Sequence, residues 1–238
     1  MKDSAGENDI SNNPEHFKVD SRIVYPSYKS FDEFIDVERL RSLDGYITER
    51  IQRHITTEKE DYFINYYRLD ETAPYQPGVR EIWLSRTKPG TPYDYLDLDQ
   101  TDLWEMTEAA DEFALLMDFI ETLPFKTTGR MLIIYDDAGK AVPAHRDHVE
   151  TDICNEFIWF RTNLKKPFYM LNPETSEKKY VAGYSAWFDS VNQYHGSDAY
   201  DGLSYSIRVD GKFTEEFRAK IPVPKINMAS TPSYWASF

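Results

Sequence analysis

Histidines and carboxylates alternate along Val142-Pro143-Ala144-His145-Arg146-Asp147-His148-Val149-Glu150. In an extended segment the side chains at i and i+2 share a face, so either His145 with Asp147 or His148 with Glu150 can hold one cation from one side. Only one of these pairs can point inward. Beyond this stretch the only further imidazole is His195, which makes it the candidate for a third ligand.

His195 gains meaning beside Arg208. The midpoint between them falls at Asp201-Gly202, a strong reverse-turn dipeptide, and a hairpin folded there places the two residues roughly opposite one another on adjacent strands, about 5 Å apart. In Tyr205-Ser206-Ile207-Arg208-Val209-Asp210, the residues Tyr205, Ile207 and Val209 share one face and Ser206, Arg208 and Asp210 the other. The apolar face belongs against a covering layer, so Arg208 faces a polar interior where a buried guanidinium needs an anion. A bound carboxylate and Asp210 are the two candidates. Two histidines and one carboxylate that leave positions open suit non-haem Fe(II), which can then take a chelating cosubstrate and O2. A structural zinc site more often closes with four ligands and draws on cysteine, whereas this chain has one cysteine, Cys154.

The elements that must position these residues lie mainly beyond Gly129. Strand-like runs are Arg130 to Tyr135, Phe157 to Arg161, Phe168 to Leu171, Lys179 to Ala182, Ala186 to Phe188 and Tyr205 to Val209, separated by turn residues such as Gly139, Asn172-Pro173 and Gly202. Ahead of them, Ser30-Phe31-Asp32-Glu33 has the form of a capping box. Leu40, Leu43, Ile47, Ile51 and Ile55 then follow at helical spacing, with Gly45 weakening the middle. Between Asp61 and Arg86 the aromatic and β-branched content predicts two strands, and Leu103, Met106, Ala110, Phe113, Met117 and Ile120 form a helical stripe that belongs to the core. Helices ahead of six or more short strands predict a mainly β, α+β fold: a jelly roll with a helical buttress.

Composition narrows the chemistry further. The chain has 238 residues, which fits one large domain, and its 41% hydrophobic and 15% aromatic content rules out wholesale disorder. With 27 Lys plus Arg against 41 Asp plus Glu, the formal charge of −14 makes nucleic acid or anionic membrane a poor default partner. Between Thr91 and Thr122 there are ten acidic residues and no basic one, read as a solvated helix face. The lone Cys154, read as a buried inert thiol, and the lack of an apolar stretch in the first thirty residues lead us to expect a reducing, cytoplasmic setting. No G-x-S-x-G, phosphate-binding glycine loop or dinucleotide fingerprint is present.

Taken together these residues resemble the iron(II) and 2-oxoglutarate-dependent oxygenases. His145-Arg146-Asp147 resembles the H-x-D element of that family, His195 its distal histidine, and Arg208, thirteen residues on, the arginine that binds the far carboxylate of 2-oxoglutarate. Gly183-Tyr184-Ser185-Ala186-Trp187-Phe188-Asp189 is similar to the strand that precedes the distal histidine, and the likeness extends over about residues 130–217.

The resemblance implies a double-stranded β-helix (cupin-like) core at 129–220, a helical and variable support region at 1–128, and a C-terminal tail at 221–238, all within one oxygenase domain. It implies His145, Asp147 and His195 as metal ligands, and Arg208 with Ser206 as cosubstrate contacts. The cofactors would be Fe(II), 2-oxoglutarate and O2. The reaction would be hydroxylation or a related C–H oxidation of a small molecule or amino-acid residue, since Asp147 occupies the position a halide would need. Asp210 stands where the family often has a small hydroxyl residue, and can pair with Arg208 in competition with the cosubstrate. His148 and Glu150 remain the alternative ligand pair. The rival function is a non-oxidative metal-binding cupin, an isomerase or ligand-binding protein. Oligomeric state and prime substrate are left open.

Overall fold

The computed structural model describes residues 28–57, 63–64, 79–91, 101–137, 139–145, 147, 156–172, 174–190 and 193–220. The alternative ligands His148 and Glu150, the thiol of Cys154, the polar arm Met1 to Asp20 and the tail from Ile221 onward lie outside these residues.

Two antiparallel sheets make the frame. The larger runs in the order β1 (Lys29–Ser30), β10 (Ser185–Trp187), β7 (Phe157–Phe160), β12 (Ser204–Phe213), β5 (Phe125–Asp136), β3 (Val79–Thr87), β2 (Phe63–Ile64), with β4 (Trp104–Met106) also paired to β3. The smaller is β6 (Val142–His145), β11 (Tyr194–Ser197), β8 (Phe168–Leu171), β9 (Lys178–Tyr180). They meet face to face where Trp159 of β7 stacks on Phe168 of β8, 4.5 Å between ring centroids. This is the double-stranded β-helix, or jelly-roll, architecture, mostly antiparallel sheet with a few short helices.

The strict alternation of β12 divides the larger sheet into two chemistries. Ile82, Ile133, Ile207 and Phe160 stand directly opposite one another across four strands, and all are fully buried. Phe160 meets Phe119 of helix α4 (Ala114–Ile120) edge-on at 5.6 Å, so this row is the face the helices cover. Each such side chain, fully buried, stabilises the fold by roughly 1.5–3 kcal/mol. The other face carries Trp83, Leu132, Arg208 and Trp159 in one row and Glu81, Ile134 and Ser206 in the next, aimed at the smaller sheet.

The helical buttress has two helices where the spacing of its leucines and isoleucines predicts one or two: α1 (Val37–Ser42) and α2 (Asp44–Thr57). Gly45 lies inside α2, and the break falls at Leu43. The capping box at Ser30 to Glu33 does not cap a helix. The actual cap is Asp36, whose carboxylate accepts from the Arg39 N–H. Asp32 is used elsewhere: its carboxylate accepts from Tyr184 N and Ser185 N and from the Ser185 hydroxyl, at 3.0, 2.7 and 2.6 Å, which ties the N-terminal segment to β10. A Cβ at Gly183 would collide with that carboxylate. The predicted stripe from Leu103 to Ile120 is also only partly helical, since Trp104 to Met106 pair with β3 and Met106 is exposed; the helices are α3 (Glu108–Glu112) and α4.

Helix α2 is pinned to the sheet by a polar hub. Asp44 Oδ1 accepts from Thr162 Oγ1, Asn163 Nδ2 and the Tyr205 hydroxyl at 2.5, 2.6 and 2.8 Å. Partial burial alone would raise the Asp44 pKa, but these hydrogen bonds and Lys165 outweigh it and hold the carboxyl below its usual range. A carboxyl with a depressed folded-state pKa adds stability that is complete above its unfolded value and fades as pH falls through the folded one. We therefore expect Asp44→Ala to cost about 2 kcal/mol at pH 7, and the gap between variant and wild type in urea melts to narrow from about pH 4 downward.

Candidate active site

His145 closes β6 and His195 lies in the middle of β11, and the two are direct partners in the antiparallel register, so their side chains emerge on one face. Their rings are 4.4 Å apart. Asp147 follows two residues after His145, just beyond the strand, with its N–H donated to Ser190 O at 2.8 Å. The three side chains each offer one ligand atom, and these atoms lie within 4.8 Å of one another. His145 and Asp147 thus share a side, as their i, i+2 spacing predicts, and the pairing of β11 with β6 brings His195 to them.

Hydrogen bonds prepare both imidazoles. His145 Nδ1 lies 2.9 Å from Pro143 O and His195 Nδ1 3.4 Å from Gln193 O. A carbonyl accepts only, so whenever the ring is neutral each Nδ1 keeps the proton and each Nε2 can offer its lone pair to a metal. Both Nε2 atoms face the same carboxylate oxygen, Asp147 Oδ1, at 3.8 Å from His145 and 3.4 Å from His195.

The other oxygen, Oδ2, is occupied by Arg208 Nη1 at 2.9 Å. Burial would raise the Asp147 pKa, but His195 and Arg208 hold it well below the carboxylate range, so the group is an anion at neutral pH. Two imidazole nitrogens and a carboxylate oxygen fit a divalent first-row metal, Fe(II) among them. The side chains of His145 and Asp147 are 30% and 31% exposed, so the site opens to solvent on their side. Phe188 and Phe168 wall the back of His195, with ring centroids 5.0 and 6.1 Å away.

Arg208 reaches this point by a different route from the one its spacing suggests. His195 and Arg208 are not on a shared hairpin: β11 belongs to the smaller sheet and β12 to the larger, and the turn at Asp201-Gly202, with Gly202 at φ +127°, carries the chain between sheets. The six residues between the strands are more than a tight hairpin needs and long enough to cross over. Arg208 thus faces His195 across the interior. Its polar-face assignment stands, and so does the expected pairing with Asp210. Arg208 Nε and Nη2 lie 3.0 and 2.8 Å from Asp210 Oδ1. Ser206 is on the same face, one row away and half-buried.

Two residues of this interior carry no signal in the sequence. Arg130 of β5 donates from Nε to Asp210 Oδ2 at 3.0 Å. Glu81 of β3 accepts from Trp83 Nε1 at 2.9 Å, and burial pushes its carboxyl above the usual range. Isolated Arg and Glu within strands are commonplace, and only the sheet register reveals that they point inward. Arg161, also buried, donates to the carbonyls of Lys166, Val181 and Gly183; desolvation lowers its pKa to about 10. It serves as a structural tie.

No protein-family model and no curated protein sequence matches the chain. Among solved structures, it is similar to a Pseudomonas putida prolyl-4-hydroxylase at 14% identity, covering 79% of this chain and 93% of that one, with a TM-score of 0.43. It is similar to an oxidoreductase of the 2OG-Fe(II) oxygenase family from Burkholderia pseudomallei at 10% identity, covering 61% and 77%, with a TM-score of 0.37. A third is a Trichoplax adhaerens prolyl hydroxylase in complex with a hypoxia inducible factor oxygen degradation domain peptide fragment, at 11% identity, 82% and 86% coverage and a TM-score of 0.40. Likeness at this level carries no chemistry, and what the site can do is set by its own side chains. In those side chains, His145, Asp147, His195 and Arg208 gathered inside a double-stranded β-helix, the chain resembles the iron(II)/2-oxoglutarate oxygenases.

Proposed function

We propose that this chain is a non-haem iron(II) dioxygenase that couples the oxidative decarboxylation of 2-oxoglutarate to hydroxylation, or a related C–H oxidation, of a small molecule or an amino-acid residue. The observation that carries the reading is the convergence of His145 Nε2, His195 Nε2 and Asp147 Oδ1, with the Arg208 guanidinium at the same point. In this reading residues 1–238 form one oxygenase domain, with the first half as support and substrate-binding region.

The oxidising power would come from O2 activated at the bound iron, with 2-oxoglutarate supplying two of the four electrons and leaving as succinate and CO2. The rest falls to the protein. His145, Asp147 and His195 hold the metal from one side. Arg208 offers a planar set of donors to the far carboxylate of the cosubstrate, and Phe168 and Phe188 keep water from the back of the site. Ser206, one row along the same face, is the second cosubstrate contact in this reading.

The test is succinate formation from 2-oxoglutarate that depends on Fe(II) and O2, compared between wild type and Arg208→Met. Loss of charge-assisted hydrogen bonds to the cosubstrate should raise its KM about 10- to 100-fold while Mn(II) binding persists. Unchanged 2-oxoglutarate dependence in the variant would sink the cosubstrate assignment. A second reading, a non-oxidative metal-binding cupin, draws on the engagement of Arg208 by both Asp147 and Asp210. It predicts a wild type that binds Mn(II) yet neither binds nor turns over 2-oxoglutarate.

A further inference from the structure

The guanidinium of Arg208 is constrained on three sides. Its Nε edge faces Asp210, with Nε 3.0 and 3.2 Å from the two carboxylate oxygens and Nη2 2.8 Å from Oδ1. Its plane lies over the Phe157 ring, 4.0 Å from Cζ to the centroid. Its tip, Nη1, reaches Asp147. Asp210 is in turn held from the far side by Arg130 Nε on Oδ2. The side chain of Asp210 is 3% exposed, and those of Arg208 and Arg130 are 11% and 23% exposed.

An aspartate beside the anchoring arginine looks at first like a competitor for it. The geometry argues otherwise on two counts. Asp210 takes the Nε side of the guanidinium and leaves Nη1 turned to the metal ligands, where it donates to Asp147 Oδ2 and keeps a second N–H for a bound anion. The charge balance agrees: Arg130 and Arg208 are two cations against Asp210, and the positive charge left over is met by Asp147, a proposed ligand of a divalent metal, so that with the metal bound the site is again net positive. Without Arg130, Asp210 would neutralise Arg208; with it, Asp210 can orient Arg208 without cancelling it.

We propose that Asp210, buttressed by Arg130, is a positioning residue that locks the Nε edge of Arg208 and thereby presents its Nη1 end to the metal centre and to the far carboxylate of a dicarboxylate bound there. The inference rests on the oxygenase reading above, and extends it to two residues that touch neither metal nor cosubstrate.

The test titrates Mn(II), and then 2-oxoglutarate, into wild type, Asp210→Asn and Arg130→Gln by calorimetry, with a thermal melt of each protein. The expected result is a 2-oxoglutarate affinity about 10-fold weaker or more in Asp210→Asn, and about 3-fold weaker or more in Arg130→Gln. Mn(II) affinity should stay within about threefold of wild type. In turnover the same variants should raise the KM for 2-oxoglutarate with little change in kcat, a split that general loosening of the fold does not produce. A folded Asp210→Asn that binds 2-oxoglutarate as tightly as wild type, or more tightly, overturns the proposal and restores Asp210 as a competitor. If Asp210→Asn fails to fold, Arg130→Gln decides by the same criterion, since it leaves Asp210 in place. A wild type that binds Mn(II) but not 2-oxoglutarate removes the oxygenase reading and this proposal with it, whereas wild-type binding with unaffected variants removes this proposal alone.

Discussion

Asp147→Ala should abolish metal loading, lowering Mn(II) or Fe(II) affinity by at least about 100-fold and removing 2-oxoglutarate turnover with it. The carboxylate is the only anionic ligand of the three, and its Oδ1 is the atom on which both imidazole Nε2 atoms converge. The fold should survive the change, because the Asp147 side chain is 31% exposed and Arg208, which loses it, keeps Asp210. A melting temperature close to that of wild type, together with absent Mn(II) binding by calorimetry or electron paramagnetic resonance, would separate loss of the site from loss of the protein. His195→Ala should behave alike, and more sharply for stability, since His195 is buried between Phe168 and Phe188. The outcome also decides between the two parities of the His145 to Glu150 run. If Asp147→Ala still loaded metal and Glu150→Ala did not, the ligands would be His148 and Glu150.

How much of this site is legible in the sequence depends on which interactions are local. His145 with Asp147 is a two-residue relation within one segment, and β12 alternates so regularly that the inward placement of Arg208 and Asp210 follows from period alone. The distal histidine comes from order along the chain. What failed was the relation between elements. The Asp201-Gly202 turn is real, yet a turn dipeptide says only that the chain reverses, not whether the next strand joins the same sheet; here it joins the other. The capping box at Ser30 failed for a similar reason. Ser30 and Glu33 have the spacing of a capping box, but Ser30 lies in β1 and pairs with Ala186 of β10, more than 150 residues away. The residues from Leu103 to Met106 have helical spacing, but pairing with β3 overrode it. Arg130 and Glu81 are recognisable only through the register of β3, β5 and β12, which turns them inward.

The register of the two ligand strands also identifies a residue that controls the site without touching it. Between His195 and Ser197 the pairing of β11 with β6 slips, so that His195 faces His145 while Ser197 faces Val142. Gly196 sits at that slip. A Cβ there would lie 2.5 Å from the Val142 carbonyl oxygen and 2.9 Å from the Tyr169 hydroxyl. The tyrosine can swing aside, but the carbonyl belongs to the backbone of β6 and can move only with its strand. Gly196→Ala should therefore push β6 away from β11 and pull His145 from its place opposite His195, at a cost of about 1–3 kcal/mol in stability. The expected result is a melting temperature lower by several degrees and a Mn(II) affinity lower by about 10-fold or more, since ligands displaced by an ångström no longer share one ion. Gly45→Ala is the matching control. That glycine is exposed inside α2 with nothing within 4 Å of a new Cβ, so alanine there should add up to about 1 kcal/mol through helix propensity and leave metal affinity as it was. If Gly196→Ala bound Mn(II) as tightly as Gly45→Ala, the spacing of β6 and β11 would not be what brings the two histidines to one ion.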